Sequence, residues 1–229
     1  MKAVVLSSGG VDSTTCLSVA IDKLGKENVA TVSVFYGQKH SKELEAAKAV
    51  AAYYKVPHYV LDLSQVFAQS NCSLLAGSTK EITHKSYADQ IKENGEGMVS
   101  TYVPFRNGLM LSAVASLAMS LFEDDDVEIY LGAHADDAAG NAYADCSEAF
   151  VAAMTKAISI GTYDKVHVVA PFAAMNKAQL VGVGLKLHTP YELTWSCYEG
   201  GDRPCGTCGT CIDRANAFKA NGVEDPALL

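Results

Sequence analysis

Basic residues are scarce and never adjacent. The chain has 18 Lys and Arg against 26 Asp and Glu, a net charge of −8 over 229 residues. Polyanion binding draws most of its strength from Lys and Arg on phosphates. Nucleic acid is therefore not the expected partner, and a small-molecule substrate is. Long apolar runs are also missing. The longest, residues 109–122, is 14 residues with three serines in it, short of the roughly 20 that span a bilayer. The apolar run at residues 3–6 is too short for the core of a signal peptide, so a soluble, cytoplasmic protein without membrane contact is expected. Neither G-x-x-x-x-G-K-[ST] nor G-x-G-x-x-G occurs, which removes the Walker and dinucleotide-fold readings. Charged residues make up only 19% and hydrophobic residues 49%. Such a chain is not disordered and buries a substantial core as one domain, or as one domain with an appendage. No internal repeat or low-complexity linker is visible.

What is present is concentrated first in Ser8-Gly9-Gly10-Val11-Asp12-Ser13. An apolar run, residues 3–6, precedes it, and Leu17, Ala20, Ile21 and Leu24 follow at helical spacing, so the stretch reads as strand, tight turn and helix start. Two glycines let the backbone turn sharply and expose successive N–H groups. Ser13 and Thr14 add hydroxyls where the helix dipole is positive. Such a turn binds phosphate; the plainer alternative is a glycine turn that only starts a helix. The pattern S-G-G-x-D-S resembles the PP-loop of the ATP pyrophosphatases, which cleave ATP between the α- and β-phosphates.

Strand and helix alternate along the rest of the chain. Strands are expected at 29–36, 58–63, 127–131 and 165–171, and helices at 41–54, 105–122, 145–160 and 176–187. This order calls for an α/β fold, a doubly wound and mostly parallel sheet with helices on both faces and ligands beyond the carboxyl ends of the strands. The 105–122 helix is apolar on nearly every side, which implies burial in the core or against a second subunit. Residues 64–103 are polar and show no clear period. A stretch of about 40 residues without one is long for a connection, and a mobile lid or partly ordered insertion is expected there, with a plain surface excursion as the alternative.

Of the seven cysteines, Cys197, Cys205, Cys208 and Cys211 crowd into C-x7-C-x2-C-x2-C among glycines. Four thiolates converging from one loop suit a structural, closed zinc site. An iron–sulfur cluster is the competing use of C-x2-C-x2-C. The chain then divides into residues 1–190, the nucleotide-binding domain, and residues 191–229, the zinc-binding segment.

These motifs together resemble the 7-cyano-7-deazaguanine synthase family over nearly the whole chain. The PP-loop continues through Leu17. Phe35-Tyr36-Gly37-Gln38-Lys39-His40-Ser41 follows the second strand, Val103-Pro104-Phe105-Arg106-Asn107 is similar to the family's V-P-G-R-N, and Asn176-Lys177-Ala178, Ser196-Cys197-Tyr198 and the four cysteines match later signatures. The resemblance implies an adenine-nucleotide alpha-hydrolase-like fold and an ATP-dependent ligase acting as a homodimer. That enzyme turns 7-carboxy-7-deazaguanine and ammonia into the 7-cyano compound through adenylated acid and amide intermediates. By the same token ATP would lie on Ser7, Ser8, Gly9, Gly10, Val11, Asp12, Ser13, Thr14, Thr15, Cys16 and Leu17. Asp12, with a Mg2+ ion nearby, Arg106 and Lys177 would serve the chemistry, and His134, Asp136, Asp137 and Asp145 would read the deazaguanine. Asp12 as a turn cap, Arg106 and Lys177 as surface ion pairs, and the four acceptor-side residues as loop caps are the structural alternatives. Two departures stand out. Phe105 replaces a glycine, and Asn141 to Ala144 lie in a segment longer than the family's. They leave open a different acceptor for amidation or nitrile formation, or a tRNA sulfur transferase.

Overall fold

A computed structural model describes residues 1–95, 97, 99–139 and 142–228, with the side chain of Asn94 left aside. Gly140 and Asn141, part of the longer segment noted above, lie outside the described residues.

Five strands form one parallel sheet: β1 (Lys2–Leu6), β2 (Val29–Phe35), β3 (His58–Asp62), β4 (Val127–Tyr130) and β5 (Val166–Val169). Their order is β3-β2-β1-β4-β5, with every neighbouring pair parallel. Alternation along β1 sends side chains to two cores. Ala3 and Val5 pack with α1 (Val11–Leu24) and with α8 (Lys177–Lys186) and α9 (Gly209–Ala220), whose numbers count the chain's helices in order. Val4 and Leu6 pack on the other face with α5 (Arg106–Leu121) and α7 (Glu148–Gly161). A strand covered on both faces needs residues that can be buried throughout; Ala3 to Leu6 are all apolar, and in Val29 to Val34 the buried Thr31 and Ser33 hydroxyls donate to the Pro57 and Ser7 carbonyls. The order runs outward in one direction through β2 and in the other through β4. A crevice therefore opens beyond the carboxyl ends of β1 and β4, where ligands bind in folds of this kind.

The remaining helices are α2 (Lys42–Tyr54), α3 (Ser64–Phe67), α4 (Tyr87–Asn94) and α6 (Ala135–Ala138). The helix expected at 145–160 begins later, at Glu148, because the Ser147 hydroxyl accepts from Phe150 N at 3.2 Å and stops the helix there. The helix expected to be apolar all round has a polar stripe instead. Ser112, Ser116 and Ser120 are exposed at four-residue spacing, and each hydroxyl donates to the carbonyl four residues back. The opposite side buries Leu111, Val114, Ala115 and Ala118.

The unperiodic segment 64–103 is fastened at separate points. Phe67, Cys72, Leu74, Leu75 and Val103 bury with Tyr36, and Leu75 bridges antiparallel to Gln38. Ile82 packs on the cysteine cluster. Single anchors of this kind leave no repeat in the sequence. The C-terminal segment shares the main core, since Tyr191, Ala217 and Phe218 pack against α1 and α8. Its buried Arg214 forms a paired contact with Asp225, at 2.6 and 2.8 Å. No helix among the described residues is long and apolar enough to cross a membrane.

Candidate active site

The turn after β1 is held from three sides. Ser7 N donates to Val32 O at 2.8 Å, Trp195 N donates to Gly9 O at 2.9 Å, and Gly9 lies flat against α2. Gly9 has φ +80°, and a Cβ there would strike the Glu43 carbonyl and the Ala47 amide, so only glycine fits. Ser13 Oγ accepts from Ser8 N at 3.2 Å and meets Ser8 Oγ at 3.1 Å. Gly10 begins α1 with no side-chain cap, leaving the first helical amides open to an anion. Ser7 Oγ, Thr14 Oγ1 and Asp12 Oδ1 are buried with no hydrogen-bond partner. Each such atom costs about 1–3 kcal/mol, and three of them around one turn mark where a polar ligand belongs.

Beyond this turn lies a cavity lined by Ser7, Ser8, Gly10, Asp12 and Ser13 on one side. Thr14 is buried beneath them. The rest of the expected ATP stretch faces inward: Val11, Cys16 and Leu17 belong to the core, and Thr15 Oγ1 binds Val11 O and Tyr191 Oη, both at 2.8 Å.

At the mouth of the turn Asp12 Oδ2 lies 3.1 Å from Lys177 Nζ and 3.8 Å from His134 Nε2. His134 Nε2 is also 3.4 Å from Asp137 Oδ2. Burial opposes the charge on Asp12, but Lys177 and His134 outweigh it and hold its carboxyl below the usual range. Burial dominates at Asp137 and raises it. Lys177 stays charged: burial works against it, and Asp12 and Asp137 more than compensate. Lys177 sits in the first turn of α8, whose Asn176–Gln179 capping box fixes the helix start.

The four residues expected to read the acceptor separate in space. Asp137 lines the cavity. His134 is buried behind it, with neither ring nitrogen hydrogen-bonded. Asp136 Oδ2 accepts from Lys177 N at 2.8 Å, and Asp145 Oδ2 accepts from Asn107 N at 3.0 Å, so both act at helix starts. Asp145 does not line the cavity, nor does Phe105. Phe105 has φ +51°, and its ring lies on Gly108 and edge-on to Phe150.

The cavity is also lined by groups that the sequence reading assigned no role, beside Arg106. Arg106 Nη1 is 3.5 Å from Tyr36 Oη, and the guanidinium carbon is 5.3 Å from the Tyr36 ring centre. Glu43, from the first turn of α2, shares this wall. Tyr87, Tyr143 and Tyr198 form a cluster that also lines the cavity, with Tyr87 Oη and Tyr198 Oη 2.6 Å apart and Thr101 Oγ1 2.5 Å from Tyr143 Oη. Some signals were available. Glu43 lies just beyond the Phe35–Ser41 signature, at a helix N-terminus that follows a strand. Tyr198 stands in the Ser196–Tyr198 signature and Tyr143 in the longer segment, though neither was given a role; Tyr87, in the unperiodic segment, carried no signal.

Cys197, Cys205, Cys208 and Cys211 converge, with their sulfurs all within 4.8 Å of one another. A tetrahedron with metal–sulfur bonds of about 2.3 Å needs sulfurs roughly 3.8 Å apart, so the set fits a metal ion. Cys205 N and Cys208 N donate to the sulfurs of Cys197 and Cys205, both at 3.3 Å. Hydrogen bonds from Cys208 and Cys211 draw the Cys197 thiol far down, while its sulfur pushes those two up. Four sulfurs this close carry their full charge only around a cation. The other buried thiols differ: burial pushes Cys16 and Cys146 well above the usual thiol range, so neither is a ready nucleophile.

The profile of the family described as "Queuosine biosynthesis protein QueC" matches residues 2–222. The 7-cyano-7-deazaguanine synthase of Archaeoglobus fulgidus is 44% identical over 229 residues, spanning 100% of this chain and 90% of that protein. The 7-cyano-7-deazaguanine synthase of Caldicellulosiruptor saccharolyticus is 43% identical over 226 residues, spanning 99% and 94%. Among solved structures, NMN synthetase from Francisella tularensis aligns over 97% of this chain and 78% of that one, with a TM-score of 0.49 and 11% identity. That likeness is too loose to bear on function.

Proposed function

The chain belongs to the queuosine biosynthesis protein QueC family, and from that premise we propose that it is an ATP-dependent carbon–nitrogen ligase. It would convert 7-carboxy-7-deazaguanine and ammonia to 7-cyano-7-deazaguanine, the product for which its relatives are named. One observation carries the ATP half of this reading: unpartnered Ser7 Oγ, Asp12 Oδ1 and Thr14 Oγ1 gather around the turn beyond β1, with Lys177 beside them.

Oxide is too poor a leaving group for ammonia to displace from a carboxylate directly. Attack of the carboxylate on the α-phosphorus of ATP makes the oxygen part of AMP, a good leaving group, and releases pyrophosphate. Ammonia then displaces AMP to give the amide. A second ATP activates the amide oxygen, and its loss as AMP leaves the nitrile. The protein's part is to align the reactants and neutralise charge. The amides and hydroxyls from Ser7 to Thr14 would hold the phosphates, with Lys177 on their charge. Arg106, on the cavity wall, would face the substrate carboxylate. Asp12, with Oδ1 free, has the hard oxygen that suits a magnesium ion travelling with the nucleotide, which would offset phosphate charge. The tyrosine cluster and Asp137 would hold the planar base.

We assign the four cysteines to zinc, clamping residues 191–229 to the nucleotide-binding body, residues 1–190. Segment 64–103 supplies Leu74, Tyr87 and Thr101 to the cavity wall. The acidic chain would act on small molecules, not nucleic acid, and as a homodimer, which light scattering tests. The protein should be colourless and metal analysis should find zinc; iron and a brown colour would restore the sulfur-transferase reading. Of the two departures that suggested another acceptor, Phe105 has its ring outside the cavity. The decisive assay supplies 7-carboxy-7-deazaguanine, ATP and ammonium and follows the base by mass spectrometry. The nitrile, with AMP and pyrophosphate, is expected; an unchanged base would overturn the assignment.

A further inference from the structure

Glu43 differs from the other carboxylates that line the cavity. Asp12 is hydrogen-bonded by Lys177 at 3.1 Å, and Asp137 has the His134 ring nitrogen 3.4 Å away, both beside the turn beyond β1. Glu43 stands half-buried on the wall beside Arg106, and among the described residues its carboxylate accepts no hydrogen bond and forms no ion pair. The charged and titratable groups facing it are Arg106 from α5 and Tyr36 beyond the end of β2. Tyr198 from the C-terminal segment and Asp12 and Lys177 at the phosphate turn share the cavity. Burial pushes its carboxyl up to about 7, and Arg106 opposes this only in part.

The proposed reaction needs such a group at one point. Attack of a carboxylate on phosphorus releases no proton. Attack of ammonia on the adenylated acid does: the nitrogen lone pair forms the C–N bond, the C–O bond breaks with its electron pair leaving on AMP, and the nitrogen must lose one proton to become a neutral amide. We propose that Glu43 is the base that takes this proton, standing where the carbon between Arg106 and the phosphate turn is attacked. The assignment rests on the ligase reading above and extends it to a residue of α2, whose carbonyl packs against Gly9. An acceptor that titrates near the working pH serves as base in one step and returns its proton to solvent before the next. Loss of the two remaining N–H protons in the second round calls for the same carboxylate. Cys146 is no rival, because burial keeps its thiol protonated.

The test separates the two half-reactions. In intact protein carrying Glu43→Gln, ATP–pyrophosphate exchange driven by 7-carboxy-7-deazaguanine without ammonia should stay within about twofold of wild type. Single-turnover amide formation at fixed free ammonia should fall on the order of 10²- to 10⁴-fold and lose the rise through pH 7 that wild type shows. Glu43→Asp should recover part of the rate and keep a pH dependence, and it carries the test if the Gln variant melts early. Equal loss in both half-reactions by a variant with wild-type Tm, or no loss in either, overturns the proposal. Wild-type protein that exchanges no pyrophosphate overturns the ligase reading itself.

Discussion

A single methyl group on Gly9 would disturb both the turn and α2, because the position combines φ +80° with contact against the Glu43 carbonyl and the Ala47 amide. The left-handed backbone alone costs an alanine roughly 1–2 kcal/mol. Gly9→Ala should therefore lose at least about that much stability in urea and bind ATP more weakly than wild type by calorimetry. Glu43 gives a prediction with the opposite sign. Its carboxyl sits near 7 in the folded chain against an ordinary 4.5. The folded state thus binds the proton more tightly, and stability is lost as pH rises from about 4.5 through 7. Glu43→Gln removes that loss and should stabilise the protein above pH 7 by up to about 3 kcal/mol, with no gain at pH 4. An unchanged pH dependence in the variant would show that Glu43 is not buried in this way. At this scale the strand–turn–helix at Ser8 to Ser13 and the convergence of the four cysteines were legible in the sequence, because each is local. It did not distinguish Asp137, which reaches the cavity, from Asp136 and Asp145, which bind amides at helix starts. All three are loop carboxylates, and only the fold decides which amide is near.

Among the elements, α5 shows how composition misleads. Its serines return their hydroxyls to their own backbone, so a polar stripe is interleaved with an apolar face, and a hydropathy reading sees one apolar helix. The helix start is unusual too. Phe105 adopts a conformation that favours glycine, yet its ring covers Gly108 and meets Phe150. Replacement by glycine relieves roughly 1–2 kcal/mol of backbone strain, while the freer unfolded chain and the lost ring contacts take back a similar amount. Phe105→Gly should change stability by less than about 1 kcal/mol and leave KM for the carboxylate substrate unchanged. A several-fold shift in KM would bring Phe105 into the acceptor site. Strands and most helices were legible because both faces of the sheet are covered and the apolar period is strong. Segment 64–103 was not, since Phe67, Leu75 and Ile82 each anchor it to a different partner.

At the scale of the whole molecule, the cavity is assembled from parts far apart in sequence. The turn with the unpartnered polar atoms comes from the end of the first strand, Glu43 and Tyr36 from the second strand–helix connection, Arg106 from α5, and Tyr198 from beside Cys197, the first cysteine of the cluster. The cysteine cluster therefore bears on the site through Cys197 and its neighbour Tyr198, and through Trp195, which donates to Gly9 O. Stripping the metal with a chelator should lower Tm and reduce ATP binding together, and restored zinc should recover both. Retained ATP affinity in the metal-free protein would mean that the cluster holds only the C-terminal segment.

The central claim is that the turn beyond β1 presents the α-phosphorus of ATP to the substrate carboxylate. Substrate labelled with 18O in both carboxylate oxygens tests it most directly. The account predicts two AMP molecules per nitrile, each carrying one labelled oxygen on its phosphate. Label released to water, or ADP and phosphate in place of AMP and pyrophosphate, would contradict it.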